Sequence, residues 1–277
     1  MTGIFLVAIG KFFGEIATSI GKYEVVHKNE SFYAMGFLNG IWGLILLIII
    51  GIARHSFSFS FESIPILVVR FVLEVTLTFV ALHALIQAER STFSFLRTLT
   101  IPLLIIVDLS LGYTISFTQI IGVCLIAFTI IFLFINQGLS RKGKFLSILS
   151  AVIAVITISL YKYDIAHFNS VETEQVIINS ALLVTFAIIA KIKTGENVFK
   201  YFKKRIFLEQ SLISGFSGVF LSFAYMFGVA SVITAAMRSF EIIGALASGK
   251  TCFKERHIGV KVVALFSVVS GILLLVA

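Results

Sequence analysis

Ten apolar stretches follow one another along this chain, each close to the ~20 residues that carry a helix across the hydrocarbon core of a bilayer. They cover residues 3–20, 32–53, 63–85, 92–111, 115–136, 144–162, 171–192, 208–229, 231–249 and 258–277. Within lipid every backbone N–H and C=O must be paired inside the segment, so each stretch is expected to be an α-helix. The longer polar connections are 21–31, 54–62, 137–143, 163–170 and 193–207, too short to hide a soluble domain. Composition agrees: 58% of residues are hydrophobic, 13% are charged and mean hydropathy is +1.06, more apolar surface than a water-soluble core absorbs. The fold class expected is an all-α integral membrane protein.

The two halves of the chain repeat each other. At an offset of 140, Gly3, Phe5, Leu6, Ile16, Ser19, Lys22 and Tyr23 fall on Gly143, Phe145, Leu146, Ile156, Ser159, Lys162 and Tyr163. At an offset of 141, Arg97-Thr98 falls on Arg238-Ser239. The repeats are assigned to residues 1–137 and 138–277, joined by a turn-rich, basic seam at 136–143. Five spans per half is an odd number, so if the halves share a fold the second must be inverted in the membrane. Repeats of this kind are typical of secondary transporters, whose substrate site lies between them.

A net charge of +8 raises the question of nucleic acid, but the basic residues lie in short connections, where they set membrane orientation. The connections after the odd-numbered spans hold fifteen Lys and Arg, against two, Arg54 and Lys162, in the others. This places the odd connections in the cytoplasm and both termini outside. The segment 193–210 mixes lysines with Phe199, Tyr201, Phe202, Ile206 and Phe207; it reads either as an amphipathic piece on the anionic leaflet or as a solvated basic loop. The Phe/Ser alternation at 56–61 reads as an interfacial aromatic anchor between spans 2 and 3. Cys124 and Cys252 fit no metal or redox spacing and are expected to be small buried hydrophobes. The first stretch has no basic leader and carries Lys11 and Glu15, so it reads as a retained helix.

The sequence Leu111-Gly-Tyr-Thr-Ile-Ser116-Phe-Thr-Gln119-Ile-Ile-Gly122 resembles the hinge between helices four and five of EamA-type members of the drug/metabolite transporter superfamily, with Tyr113 where the family pattern has Glu. The second half has Phe253-Lys-Glu255-Arg, which keeps the acid, while Ala264 replaces the later glycine. The resemblance implies ten helices in inverted five-helix repeats around a central cavity, working by alternating access. It also implies both termini in the cytoplasm, opposite to the charge count. The first span is similar to the first helix of the small multidrug resistance branch, which places one Glu there for protons and cationic drugs; Glu15 matches by position, whereas Lys11, one turn away, departs from the pattern.

Ionisable side chains inside a span cost roughly 2.5–3.5 kcal/mol each, and so face a cavity or a partner. Lys11/Glu15 and Arg70/Glu74 are four residues apart and Arg238/Glu241 three, so each pair shares a helix face. Each reads either as a self-neutralised pair or as a substrate- or proton-binding group. Lys11 and Glu15 align with Ala151 and Val155, an asymmetry that favours function. Arg97 and Arg238, at equivalent positions, would suit a carboxylate or phosphate held bidentately, unless Arg97 pairs with an acid on another helix. Lys261 is a further intramembrane charge. Asn39, Trp42 and Tyr225 are candidate hydrogen-bonding groups for substrate or for packing. Gly36, Gly40, Gly43, Gly215 and Gly218 are expected at close helix approaches, and Pro102 should kink span 4.

No metal-binding, phosphate-binding or hydrolase motif points to an enzyme, and no cofactor is implied. The expectation is a secondary active transporter in a cytoplasmic membrane, moving a small polar metabolite or drug and coupled to protons. The alternatives are a flippase for lipid-linked sugars, or a non-transporting membrane scaffold or sensor. The expected partners are the lipid bilayer, a small-molecule substrate and protons.

Overall fold

The computed structural model describes residues 2–110, 112, 116–136, 138–255 and 257–276. Of the motif residues quoted above, Leu111, Tyr113–Ile115 and Arg256 lie outside them, as does Gln137 in the seam. The chain is a multi-pass, all-helical membrane protein. Its helices are α1 (Thr2–Val26), α2 (Phe32–Arg54), α3 (Ile64–Gln87), α4 (Arg90–Arg97), α5 (Thr100–Ser110), α6 (Phe117–Ile135), α7 (Lys144–His167), α8 (Val171–Thr194), α9 (Arg205–Ala224), α10 (Ala230–Thr251) and α11 (Ile258–Val276). Among the described residues nine spans are long and apolar enough to cross a membrane, α4 and α5 together forming one, and Ile258–Leu274 is a shorter apolar helix.

Helix ends follow local chemistry. The Ser31 hydroxyl accepts from Ala34 N–H at 3.1 Å at the start of α2, and Ser170 accepts from Thr173 N–H at 3.2 Å at the start of α8. Ser116 and Gln119 cap one another at the start of α6: Gln119 N–H donates to Ser116 Oγ at 3.3 Å, and Ser116 N–H to Gln119 Oε1 at 3.0 Å. Two helices outrun the apolar stretches that announce them. α1 continues to Val26 and α7 to His167, so part of each expected polar connection is helical, because neither segment contains a proline.

Span 4 breaks a turn before Pro102. That proline has no amide hydrogen for the Thr98 carbonyl, and its ring crowds the same oxygen. Ile101 N–H takes the Thr98 carbonyl instead, at 2.9 Å, while Thr98 and Leu99 bond back to Phe95 and Leu96 at 3.1 and 3.2 Å. These three-residue links interrupt the helix at Thr98–Leu99 and leave Arg97 as the last residue of α4.

The chain forms two compact units, and each draws on both halves of the sequence. The first comprises residues 1–82 and 160–227. In it α2 lies against α8 and α9, and α1 against α9. A Cβ on Gly36 would meet the Phe186 ring at 2.6 Å, and one on Gly215 would meet the backbone N of Gly43 at 2.7 Å. These glycines let helices touch, as expected; Gly218 has open space around it and serves no such contact. The second unit comprises residues 83–159 and 228–277. Its core gathers Phe95, Leu96 and Ile101 with Ile126, Ile130, Ile242 and Val268. There α6 packs on α11 and α10 packs on α4 and α5.

The residues 56–61 are not a strand. Ser56 Oγ donates to Glu172 Oε1 at 2.6 Å, Ser58 N–H to Thr173 Oγ1 at 3.1 Å and Ser60 N–H to Asn169 Oδ1 at 3.0 Å. The alternate residues Phe57, Phe59 and Phe61 are exposed, so the period of two separates a polar face docked on the start of α8 from an aromatic face suited to the interface. Cys124 and Cys252 are both exposed, contrary to expectation; for a cysteine on an apolar helix, exposure requires no desolvation of a polar group, so burial is not enforced. The segment 193–210 is a 3₁₀ turn (Val198–Lys203) between α8 and α9, pinned by buried Val198, Tyr201 and Phe207, with Phe199, Lys200, Lys203 and Lys204 outward.

Candidate functional site

Arg70 is the centre of the most heavily charged buried region of the first unit. It projects from α3, 3% exposed, and α8 approaches it with the N-terminal turn that carries Glu172 and Glu174. Acids are favoured at that end of a helix by the unpaired N–H groups and the macrodipole. Glu174, wholly buried, forms an ion pair with one guanidinium nitrogen of Arg70, and Glu74 sits 3.5 Å from another. The face of the guanidinium lies 4.5 Å from the Tyr161 ring centroid. Asp164, also fully buried, acts electrostatically on Arg70 and has both oxygens bonded to Asn169 Nδ2, at 3.1 and 2.8 Å.

The aromatic floor of this region is fixed by hydrogen bonds to α9. Tyr161 Oη donates to the Ser222 carbonyl at 2.8 Å, and the Tyr225 ring stands edge-on to Tyr161 at 5.6 Å. Lys162 Nζ donates to the Tyr225 carbonyl at 2.6 Å. Three acids (Glu74, Glu174, Asp164) thus surround Arg70. Asp164 and Glu174 lie at the facing ends of α7 and α8, next to the polar connection 163–170, while Glu74 lies one turn along α3 from Arg70. Glu74 keeps 19% of its side chain exposed, whereas Glu174 has none.

The ten residues singled out from the sequence divide between the two units. Lys11, Glu15, Asn39, Trp42, Arg70, Glu74 and Tyr225 belong to the first; Arg97, Arg238 and Glu241 belong to the second. Arg70, Glu74 and Tyr225 are brought together as described. Asn39 and Trp42 share a face of α2 against α9, where Ser214 Oγ donates to the Asn39 carbonyl at 2.9 Å. Asn39 Oδ1 and Trp42 Nε1 are buried, and among the described residues neither has a hydrogen-bond partner. Lys11 and Glu15 are half-buried on α1, and both make interactions within the protein.

In the second unit Arg238 and Glu241 are an ion pair, each side chain 4% exposed, and Arg238 Nε donates to Thr100 Oγ1 at 3.3 Å just past the break in span 4. Arg97 is half-buried with its guanidinium 5.4 Å from the Phe93 ring centroid. Lys261, 1% exposed, joins Glu89 at 2.6 Å and Glu255 at 3.2 Å. Glu255 also accepts from the N–H groups of Arg90 and Ser91, capping α4 from a distant part of the chain.

Sequence reasoning passed over Glu174, Asp164 and Asn169. The signal was present in Ser170-Val-Glu172-Thr-Glu174, a capping serine followed by two acids at the start of an apolar run, but this marks a helix start without telling which partner the acids face. Comparison with protein-family models gives no match, and comparison with curated proteins gives none. The likeness to EamA-type transporters therefore rests on the residues quoted for it.

Proposed function

We propose that this chain is a secondary active carrier with the inverted-repeat architecture of the drug/metabolite transporter superfamily. It would move a small polar metabolite or drug by alternating access, with protons as the coupling ion. The observation that carries the reading is the surplus of acid around Arg70 inside membrane-spanning helices. Such a cluster is costly to insert and is retained where it serves a pathway for a proton or a cation. A protonated amine is the substrate chemistry that the surplus favours.

The helix packing supports inversion. Three pairs of helices that correspond under the repeat lie side by side and run in opposite directions. Along α2 and α8, Gly36 meets Phe186 and Gly40 meets Leu183. Between span 4 and α10, Thr100 meets Arg238 and Ser231 N–H reaches Asp108. Between α6 and α11, Thr129 bonds Ser267 at 2.6 Å and Ile126 packs at Gly271. The last two contacts are mates of each other: an offset of 142 takes Thr129 to Gly271, and one of 141 takes Ile126 to Ser267. An axis in the membrane plane between inverted repeats generates this reciprocity.

The test is proton flux in proteoliposomes loaded with a pH dye, on addition of a panel of amines, amino acids and cationic dyes. At least one compound should evoke proton movement, and Glu74→Gln should abolish it while the protein stays monodisperse. Flux that Glu74→Gln leaves unchanged removes Glu74 from the mechanism; a silent panel with intact protein favours the scaffold reading.

A further inference from the structure

A second polar site lies at the opposite end of the first unit from Arg54 and the start of α8, in the connections between helices. Glu30, in the turn between α1 and α2, is 4% exposed. Its Oε1 accepts from Gln210 Nε2 of α9 at 3.3 Å, and its Oε2 is buried with no partner among the described residues. Gln210 is fully buried, so its amide is held at the carboxylate, and its own Oε1 is also without a partner. The adjacent Ser211 hydroxyl is buried in the same condition. Room for the amide comes from Gly21 of α1, where a Cβ would come within 2.7 Å of Gln210 Nε2.

The charges acting on Glu30 are both negative: Glu24 from the last turn of α1 and Glu196 from the turn after α8. Glu196 has one oxygen engaged with the Tyr201 hydroxyl and with Lys200 at 3.6 Å, while its Oε2 is buried and unpartnered. Tyr201, buried on the 3₁₀ turn and beside Glu196, has its phenol pushed up to about 12 and remains a donor. Lys22, on α1 next to Gly21, is 4% exposed and engaged in its own interactions.

We infer that Glu30, Gln210 and Glu196 form a binding site for a hard metal cation, distinct from the Arg70 cluster. The reasoning concerns acceptors. One oxygen each of Glu30, Glu196 and Gln210 lacks a donor among the described residues, and a proton on Glu30, shared with one neighbour, leaves the third unsatisfied. A hard cation takes several oxygen ligands at once, and two carboxylates with a neutral amide carbonyl, the Gln210 amide being turned to present its oxygen, are a donor set of that kind. The ion would tie the α1–α2 turn and the turn after α8 to α9, fixing two connections on one end of the unit. Protons compete for the same carboxylate: burial first, then the two neighbouring acids, raises Glu30 to about 8. The site binds its ion whether or not the chain carries a solute.

The experiment is thermal unfolding of the detergent-purified full chain in NaCl or CaCl2 against choline chloride at matched ionic strength, at pH 9 and pH 6. One of the two metals should raise the midpoint saturably at pH 9. Its apparent affinity should fall about a hundredfold between pH 9 and pH 6, approaching tenfold for each unit well below the carboxyl's pKa. Glu30→Gln should lose the response, and Gln210→Leu should weaken it, whereas Glu209→Gln, on an exposed pair with Arg205, should keep it. Equilibrium dialysis with radioactive sodium or calcium gives the same comparison without unfolding, should a variant fold poorly. No metal-specific rise at pH 9, or a response that survives Glu30→Gln, overturns the inference; a pH effect alike in all salts means a proton site only and overturns it too.

Discussion

Removing the arginine from the Arg70 cluster should be far worse than removing one of its acids, because the cluster is over-supplied with acid. Arg70→Met leaves Glu74, Glu174 and Asp164 without the cation they surround, with Lys162 tied to the Tyr225 carbonyl. Stranding a buried carboxylate in this way costs about 3–5 kcal/mol. Loss of the guanidinium above the Tyr161 ring, 4.5 Å from its centroid, adds roughly 1–2 kcal/mol. Glu174→Gln keeps the volume, and Arg70 retains Glu74 and Asp164, so its cost is one charge-assisted hydrogen bond, about 1.5–3 kcal/mol. The single variants should therefore differ by about 3 kcal/mol. The double variant should be more stable than Arg70→Met alone, because one stranded acid is gone. Equilibrium unfolding in mixed micelles, followed through Trp42, the one tryptophan of the chain, gives all four corners of the cycle. Equal losses for Arg70→Met and Glu174→Gln, or no rescue in the double variant, would refute the account of an acid surplus.

Gly215→Leu should prevent α2 and α9 from meeting, since even a Cβ there lies 2.7 Å from the Gly43 amide nitrogen; a loss of roughly 1–3 kcal/mol or more is expected, read by the same unfolding assay. Gly218→Ala, in open space on the same helix, should instead gain up to about 1 kcal/mol. In metal-free choline buffer the Glu30 carboxyl, raised from 4.5 to about 8, is still protonated in the folded chain over a range where the unfolded chain has released its proton. Stability should fall as pH rises between those two values, and Glu30→Gln should remove that slope; an unchanged slope in the variant would mean that other groups carry it.

How much of this was legible in the sequence depends on the range of the interaction. The EamA-like pattern is partly local: Ser116 and Gln119 form a capping box within one turn, readable from spacing alone. Gly271 needs the partner helix, because its missing side chain is what lets the Gly122 carbonyl of α6 approach α11: a Cβ there would meet that oxygen at 2.9 Å. Glu255 shows the same limit. Its sequence neighbours mark it as a retained acid, but its work is to cap α4 and hold Lys261, and both partners come from chain folding.

The sequence by itself determined that this is a membrane protein of about ten helices, where the spans fall and where they start, because apolar length, helix capping and proline geometry act within a few residues of each position. It marked Arg70, Arg238, Glu241 and Lys261 among the buried charges, but not Glu30, Asp108, Asp164, Glu172 or Glu174. Tertiary structure alone decided which charge faces which: that Arg70 meets Glu174 across more than a hundred residues, that Glu30 meets Gln210, and that each compact unit is assembled from both halves. A buried ion pair is chosen by proximity in three dimensions, and the pattern along a helix records the cost of each charge without recording its partner.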